Sequence, residues 1–140
     1  LFSYAAYNGK LDLVKFWLEK GLDIQAKDDD GETPLLEALH EKHTEVAHFL
    51  IEKGADIHAL NNKGETVLMW AAYTGDLKLV RYLVEHQVDI NIKSEEGSNA
   101  LIWAVVSENE SLEKVKYLLE HGANLNEIDK DGKSALMYAF

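Results

Sequence analysis

Two kinds of segment alternate along this chain. Short apolar runs, Leu-Leu-Glu-Ala at 35–38, Leu-Met-Trp-Ala at 68–71, Leu-Ile-Trp-Ala at 101–104 and Leu-Met-Tyr-Ala at 136–139, each close on an alanine. Between them, apolar residues fall at intervals of three and four: Leu11, Val14, Trp17, Leu18; Leu77, Val80, Leu83, Val84; Leu112, Val115, Leu118, Leu119. Thr44, Ala47, Leu50 and Ile51 occupy the same places in the second such segment. That spacing predicts amphipathic helices with one buried face. The short runs are predicted to be helices too. Thr33, Thr66, Asn99 and Ser134 precede them, and the side-chain oxygens of these residues can accept from free amides of a first turn. Pro34 takes a first helical position, where its missing N–H costs nothing. The longer helices are predicted to end at Glu19-Lys20, Glu52-Lys53, Glu85-His86 and Glu120-His121, a basic or titratable group facing the negative end of each dipole.

The alternation has a fixed period. Gly31, Gly64 and Gly97 lie 33 residues apart and Gly132 follows after 35. Gly21, Gly54, Gln87 and Gly122 repeat the same steps, so one insertion of two residues is shared. It falls between Trp103 and Val115, within Val106–Glu110, and predicts an enlarged loop there. One unit therefore reads as turn, helix, helix, extended arm. No single unit can bury its apolar face alone, and stacking joins those faces. The expected architecture is an all-α repeat solenoid of helix-turn-helix pairs linked by β-hairpin-like turns. It forms a single domain over 1–140, with repeats at 1–27 (partial), 28–60, 61–93, 94–128 and 129–140 (partial).

The strings DGETPLLEAL at Asp30–Leu39, EKGADIHA at Glu52–Ala59 and GETVLMWAAYTGDLKLVRYLV at Gly64–Val84 resemble the ankyrin repeat along essentially the whole chain. The family's usual histidine after Thr-Pro-Leu is replaced by Leu36, Met69, Ile102 and Met137, so its bonds to neighbouring loops should be absent. Lys42 and Gln87 stand where the family prefers glycine, which predicts left-handed backbone at both.

The resemblance implies a protein–protein interaction module whose concave side is built from turn tips and the exposed face of the first helices. Carried over position by position, the turn-tip contacts are Asp29, Asp30 and Glu32; Asn62, Lys63 and Glu65; Glu95, Glu96 and Ser98; Lys130, Asp131 and Lys133. The first helices add Tyr7, Asn8, His40, Glu41, Tyr73, Thr74, Val106 and Ser107. Acidic tips interleaved with tyrosines imply a protein partner carrying basic groups and an apolar anchor. Asn91 and Asn126 are similar to ankyrin asparagines that hydroxylases modify in animal cells.

The charge is compatible with that partner class, and acidity that only keeps a protein in solution is the simpler reading of it. With 25 acidic and 14 basic side chains the net charge is −11, which repels nucleic acid and anionic membrane. No apolar run is long enough to span a bilayer. The chain has no cysteine, which excludes disulfides and thiolate metal sites and leans toward a cytoplasmic setting. Beginning at Leu1 and closing at Phe140, the sequence is expected to be a monomeric domain within a longer chain. Two other readings stay open. One is the targeting or substrate-recruiting portion of a larger protein, such as a secreted bacterial effector or an enzyme; the other is a self-associating scaffold.

Catalytic and metal chemistry finds little footing, and neither a catalytic residue nor a cofactor is expected. His40-Glu41-Lys42-His43 is one residue short of the H-E-x-x-H spacing, and His48 lies beyond an expected loop. Glu127, Asp129 and Asp131 imitate a calcium loop whose terminal Glu would fall on Tyr138. Asn109-Glu110-Ser111 is a lone glycosylation sequon. Tyr4, Trp70, Trp103 and Tyr138 form an aromatic column broken by Glu37, read as packing between repeats, with a stacking platform as the alternative. Phe16, Phe49, Tyr82 and Tyr117 are read as packing too. Lys15, His48, Arg81 and Lys116 form a basic column, three of them expected to pair with Asp12, Glu45 and Glu113 three residues earlier.

Overall fold

Four of the predicted turns and all the predicted helix pairs are present in the computed structural model, which describes residues 2–74, 76–107 and 111–140. The inner helices are α1 (Phe2–Tyr7), α3 (Pro34–His40), α5 (Val67–Thr74), α7 (Ala100–Val106) and α9 (Ala135–Tyr138). The outer helices are α2 (Leu11–Glu19), α4 (Thr44–Glu52), α6 (Leu77–Glu85) and α8 (Leu112–Glu120). α1, α3, α5 and α7 each pack against the outer helix that follows and against the next inner helix, the α5–α7 contact being the most extensive.

The caps act as the sequence predicts. Thr33 and Asn99 accept from the amides of Leu36 and Ile102, and Thr66 and Ser134 from those of Met69 and Met137. The four outer helices end at Glu19, Glu52, Glu85 and Glu120. His86 and His121 bond through Nδ1 to the carbonyls of Tyr82 and Tyr117, 2.7 and 2.8 Å away, and stack on those same rings. Left-handed backbone at Lys42 (φ 61°) and Gln87 (φ 63°) is likewise found.

The core is a file of equivalent side chains. Leu35, Leu68 and Leu101 are at most 2% exposed, and full burial of each contributes about 1.5–3 kcal/mol. Ala38, Ala71 and Ala104 are buried beside them, which lets adjacent inner helices approach closely. One departure was not legible as core: Lys114 on α8 sits where α4 and α6 place Val46 and Leu79, and it is completely buried. Its ammonium donates to the Ala72 carbonyl at the end of α5 (2.6 Å) and lies 3.4 Å from the Ser107 hydroxyl. Burial pushes this lysine below its ordinary pKa.

The turns are stitched together without the family's histidine. The residue three places before each turn glycine is Asp28, Asn61, Ser94 or Asp129. Asp28, Asn61 and Asp129 each accept, through Oδ1, from the amides two and four residues on. A backbone ladder then joins tip to tip: the amides of Asn62, Glu95 and Lys130 donate to the carbonyls of Asp30, Lys63 and Glu96 at 2.8–2.9 Å. Isolated antiparallel bridges, Leu60 with Thr66 and Ile128 with Ser134, are the β-like part of the links. The expected enlargement of the loop at 108–110, and the sequon begun by Asn109, lie outside the described residues.

Candidate functional site

The inner helices and the turns line a groove on the inner side of the stack. Two hollows compose it. One, of about 560 Å³, is lined by Tyr7 of α1, Glu37 and His40 of α3, and turn residues including Asp30, Glu32, Lys63 and Glu95. The other, of about 620 Å³, is lined by Trp70, Tyr73, Ile102, Trp103 and Val106 of α5 and α7, with Glu65, Glu96, Ser98 and Tyr138 around it. His40 borders both, so the hollows adjoin at α3 and follow one another along the track of the inner helices.

The second hollow has an aromatic floor. Trp70 and Trp103 meet edge to face at 4.7 Å, Tyr73 closes on both at 6.0 and 5.9 Å, and the His40 ring lies 4.6 Å from Trp70. Packing between repeats and a surface platform are thus one arrangement: the rings hold α5 to α7 and face the groove. Tyr4, at the other end of the column, is 66% exposed.

The first hollow is carboxylate-rich where the aromatic column is interrupted. Burial, a side-chain hydrogen bond to Asp28, and the nearby charges of Glu32, Asp28 and Glu41 push the Glu37 carboxyl up to about 7. Glu32 is raised as well, chiefly by burial, although Asn61 Nδ2 donates to its Oε1 at 2.7 Å. The same amide donates to Glu65 Oε2 at 2.7 Å, so Asn61 clamps carboxylates from two successive turns. Among the described residues, the buried side-chain nitrogen and oxygen atoms left without a hydrogen-bond partner are Glu32 Oε2 and the Trp70 indole nitrogen, one in a residue of each hollow.

The expected contact positions fall mostly along this track. Tyr7, Asp30, Glu32, His40 and Lys63 line the first hollow with Glu95. Glu65, Tyr73, Glu96, Ser98 and Val106 line the second. Asp29 is exposed at a tip, Glu41 lies 3.8 Å from His40, and Thr74 donates to the Ala71 carbonyl. Ser107 is different. It is only 4% exposed, its hydroxyl bonded to the Tyr73 carbonyl, and so it lies behind the groove. Asn61, Glu37, Trp70 and Trp103 belong to the track but were not among the expected contacts; an acid interrupting an aromatic column was the available signal. The histidines do not converge: His40 packs at a tilt against Trp70, His43 lies against Gly9, and His48 bonds to Asp76 at 2.8 Å.

The outer face departs from expectation in its pairing. Lys15 stands 5.4 Å over the Phe49 ring and His48 bonds to Asp76 at 2.8 Å, in place of the expected pairs with Asp12 and Glu45, and Arg81, which has Lys78 three residues before it, stands 5.4 Å over the Tyr117 ring. The repeat stack sets an aromatic ring of the next outer helix within reach of each cation. Phe16 (44%) and Tyr82 (38%) remain exposed on this side, so they are less buried than a packing role implies.

A stack of paired helices joined by hydrogen-bonded turns is a helical repeat solenoid. The sequence model for ankyrin repeats (3 copies) matches residues 2–94 and 87–140, and the chain belongs to the ankyrin-repeat family. Comparison with the curated proteins returns no significant match. Members of the family are generally protein–protein interaction modules and are typically non-catalytic. No helix among the described residues is long and apolar enough to cross a membrane.

Proposed function

We propose that this domain binds a partner protein along its concave track, through the turn tips and the exposed faces of α3, α5 and α7, and that the partner segment is basic. The observation that carries the reading is the pair of hollows, adjoining at His40, whose lining runs from Tyr7 to Tyr138 across successive repeats. A preformed rigid groove loses little entropy when a segment docks, and exposed or half-exposed tyrosines are favoured anchors. The carboxylates on the track supply the charge preference.

Affinity capture with mass spectrometry tests this, run in parallel on the wild type, on single alanine variants at Tyr73, Glu65 and Glu95, and on an Arg81→Ala control from the outer face. The expected outcome is a partner retained by the wild type and the control and weakened at least tenfold by Tyr73→Ala, a loss of about 1.4 kcal/mol. Equal retention by all three groove variants would remove the concave track as the binding surface.

A further inference from the structure

Resting on that reading of the track as the docking surface, we propose that the groove sorts one partner segment by chemistry. A lysine or arginine side chain enters the hollow of Glu32 and Glu37, and an aliphatic or aromatic side chain lies on the floor made by Trp70, Trp103 and Ile102.

The division follows from position. Glu37 occupies on α3 the place that Trp70 and Trp103 occupy on α5 and α7. Moving along the stack therefore exchanges a carboxylate for an indole at an equivalent point of the groove. Neighbouring helix axes lie about 8–10 Å apart and the floor straddles α5 and α7, about one and a half spacings from α3, so the two subsites are separated by roughly three to five residues of extended chain.

Charge complementarity selects the occupant of the first hollow. Asp30, Glu32, Glu37 and Glu95 line it against a single cation, Lys63. Glu32 Oε2 has no donor, and a guanidinium or ammonium supplies one. An anionic side chain here would meet like charges at short range. In the second hollow Glu96 is already held by Lys130 at 2.6 Å, so that hollow offers chiefly its ring surfaces and Ile102.

Glu37 makes cation binding depend on pH. Asp28, Glu32 and Glu41 face it; His40 shares the hollow on α3, Tyr7 approaches from α1, and Asp30, Lys63 and Glu95 come from the turns. With its carboxyl near pH 7 in the free protein, the group is largely protonated in mild acid and must release a proton before it can pair with a cation. Affinity for a basic segment accordingly rises with pH through neutrality. If the bound cation restores an ordinary acidity, the gain from pH 6 to pH 8 is about tenfold.

The probe is a phage-displayed library of random twelve-residue peptides, selected against the wild type, the Glu32→Gln/Glu37→Gln double variant, Trp103→Ala, and an outer-face Lys15→Gln control. Each protein's fold is checked by circular dichroism. The wild type and the control are expected to enrich peptides with Lys or Arg three to five residues from Leu, Ile, Phe or Trp. The double variant should lose the basic preference and keep the apolar one; Trp103→Ala should do the reverse. Wild-type selection of peptides with no basic preference, yet weakened by Trp103→Ala, overturns the sorting and leaves the docking track standing. Peptides indifferent to Trp103→Ala and to the double variant, or no enrichment at all, would count against the track itself. Should the double variant fail to fold, the wild type titrated with its best peptide decides: the rise with pH must vanish in Glu37→Gln and survive in His40→Gln. A flat wild-type profile, or one abolished by His40→Gln alone, overturns the role of Glu37.

Discussion

The outer and inner faces of the stack use the same residue types to opposite ends. On the outer face, cations and rings satisfy one another: Lys15 and Lys53 flank Phe49, Arg81 covers Tyr117, and His48 holds Asp76. Histidines stack on Tyr82 and Tyr117 while bonding their carbonyls. On the inner face, rings cluster with rings and carboxylates with carboxylates; burial first, and then the neighbouring carboxylates, push Glu37 toward neutrality, and the Trp70 indole N–H lacks an acceptor. A face whose demands are met internally has little left to offer a partner. The unmet demands set the proposed binding side apart more sharply than hydrophobicity does, since both faces expose aromatic area.

The contrast can be broken most forcefully at the turns. Gly97 has φ +77°, and a Cβ there would stand 3.0 Å from Asp129 Cα and the Lys130 amide of the next turn. Gly97→Ala is expected to destabilise the fold by about 2–3 kcal/mol, combining left-handed strain with a backbone clash. Gly54, at the outer end of α4, has φ +91° and open space around it, so Gly54→Ala should cost only about 1 kcal/mol. Urea denaturation compares the two; equal losses would contradict a tip ladder tighter than the outer edge.

A smaller effect comes from Glu37. Its carboxyl in the fold, near 7, lies above the ordinary 4.5. The folded chain therefore holds a proton that the unfolded chain has released, and this contribution to stability is complete below about pH 4.5 and lost as pH rises to 7. Glu37→Gln should leave stability unchanged near pH 4 and raise it by on the order of 1–2 kcal/mol at pH 8. Thermal melts across that range would show the difference, and a constant offset would refute it. Lys15→Gln is expected to do least. Removing an exposed cation from over Phe49 costs about 0.5 kcal/mol, with no change in partner affinity, as calorimetry can verify.

Features set by neighbours along the chain were open to reading in the sequence. The period, the caps at Thr33, Thr66, Asn99 and Ser134, and the left-handed Lys42 and Gln87 all depend on residues within one turn. Features set by the next repeat were closed to it. Lys15 has an acid three residues before it, yet its partner is a ring 34 positions away. Lys114 reads as one more polar residue on an amphipathic helix, because the carbonyl that accommodates it belongs to Ala72, 42 positions earlier. Resemblance supplied the tip residues of the track. It did not supply Asn61, which bridges Glu32 and Glu65, or the meeting of both hollows at His40, since those follow from stacking one turn over the next.

Lys114 also makes the order of the units matter. Where Val46 and Leu79 fill this place, the outer helix asks of its neighbour only a greasy surface, which any adjoining unit can provide. The unit carrying Lys114 instead requires a free carbonyl on the preceding inner helix and a hydroxyl beside it, and it meets both in Ala72 and Ser107. Transplanted elsewhere in the array, it would strand an ammonium in oil, so the array is a sentence with a fixed word order rather than a string of interchangeable beads.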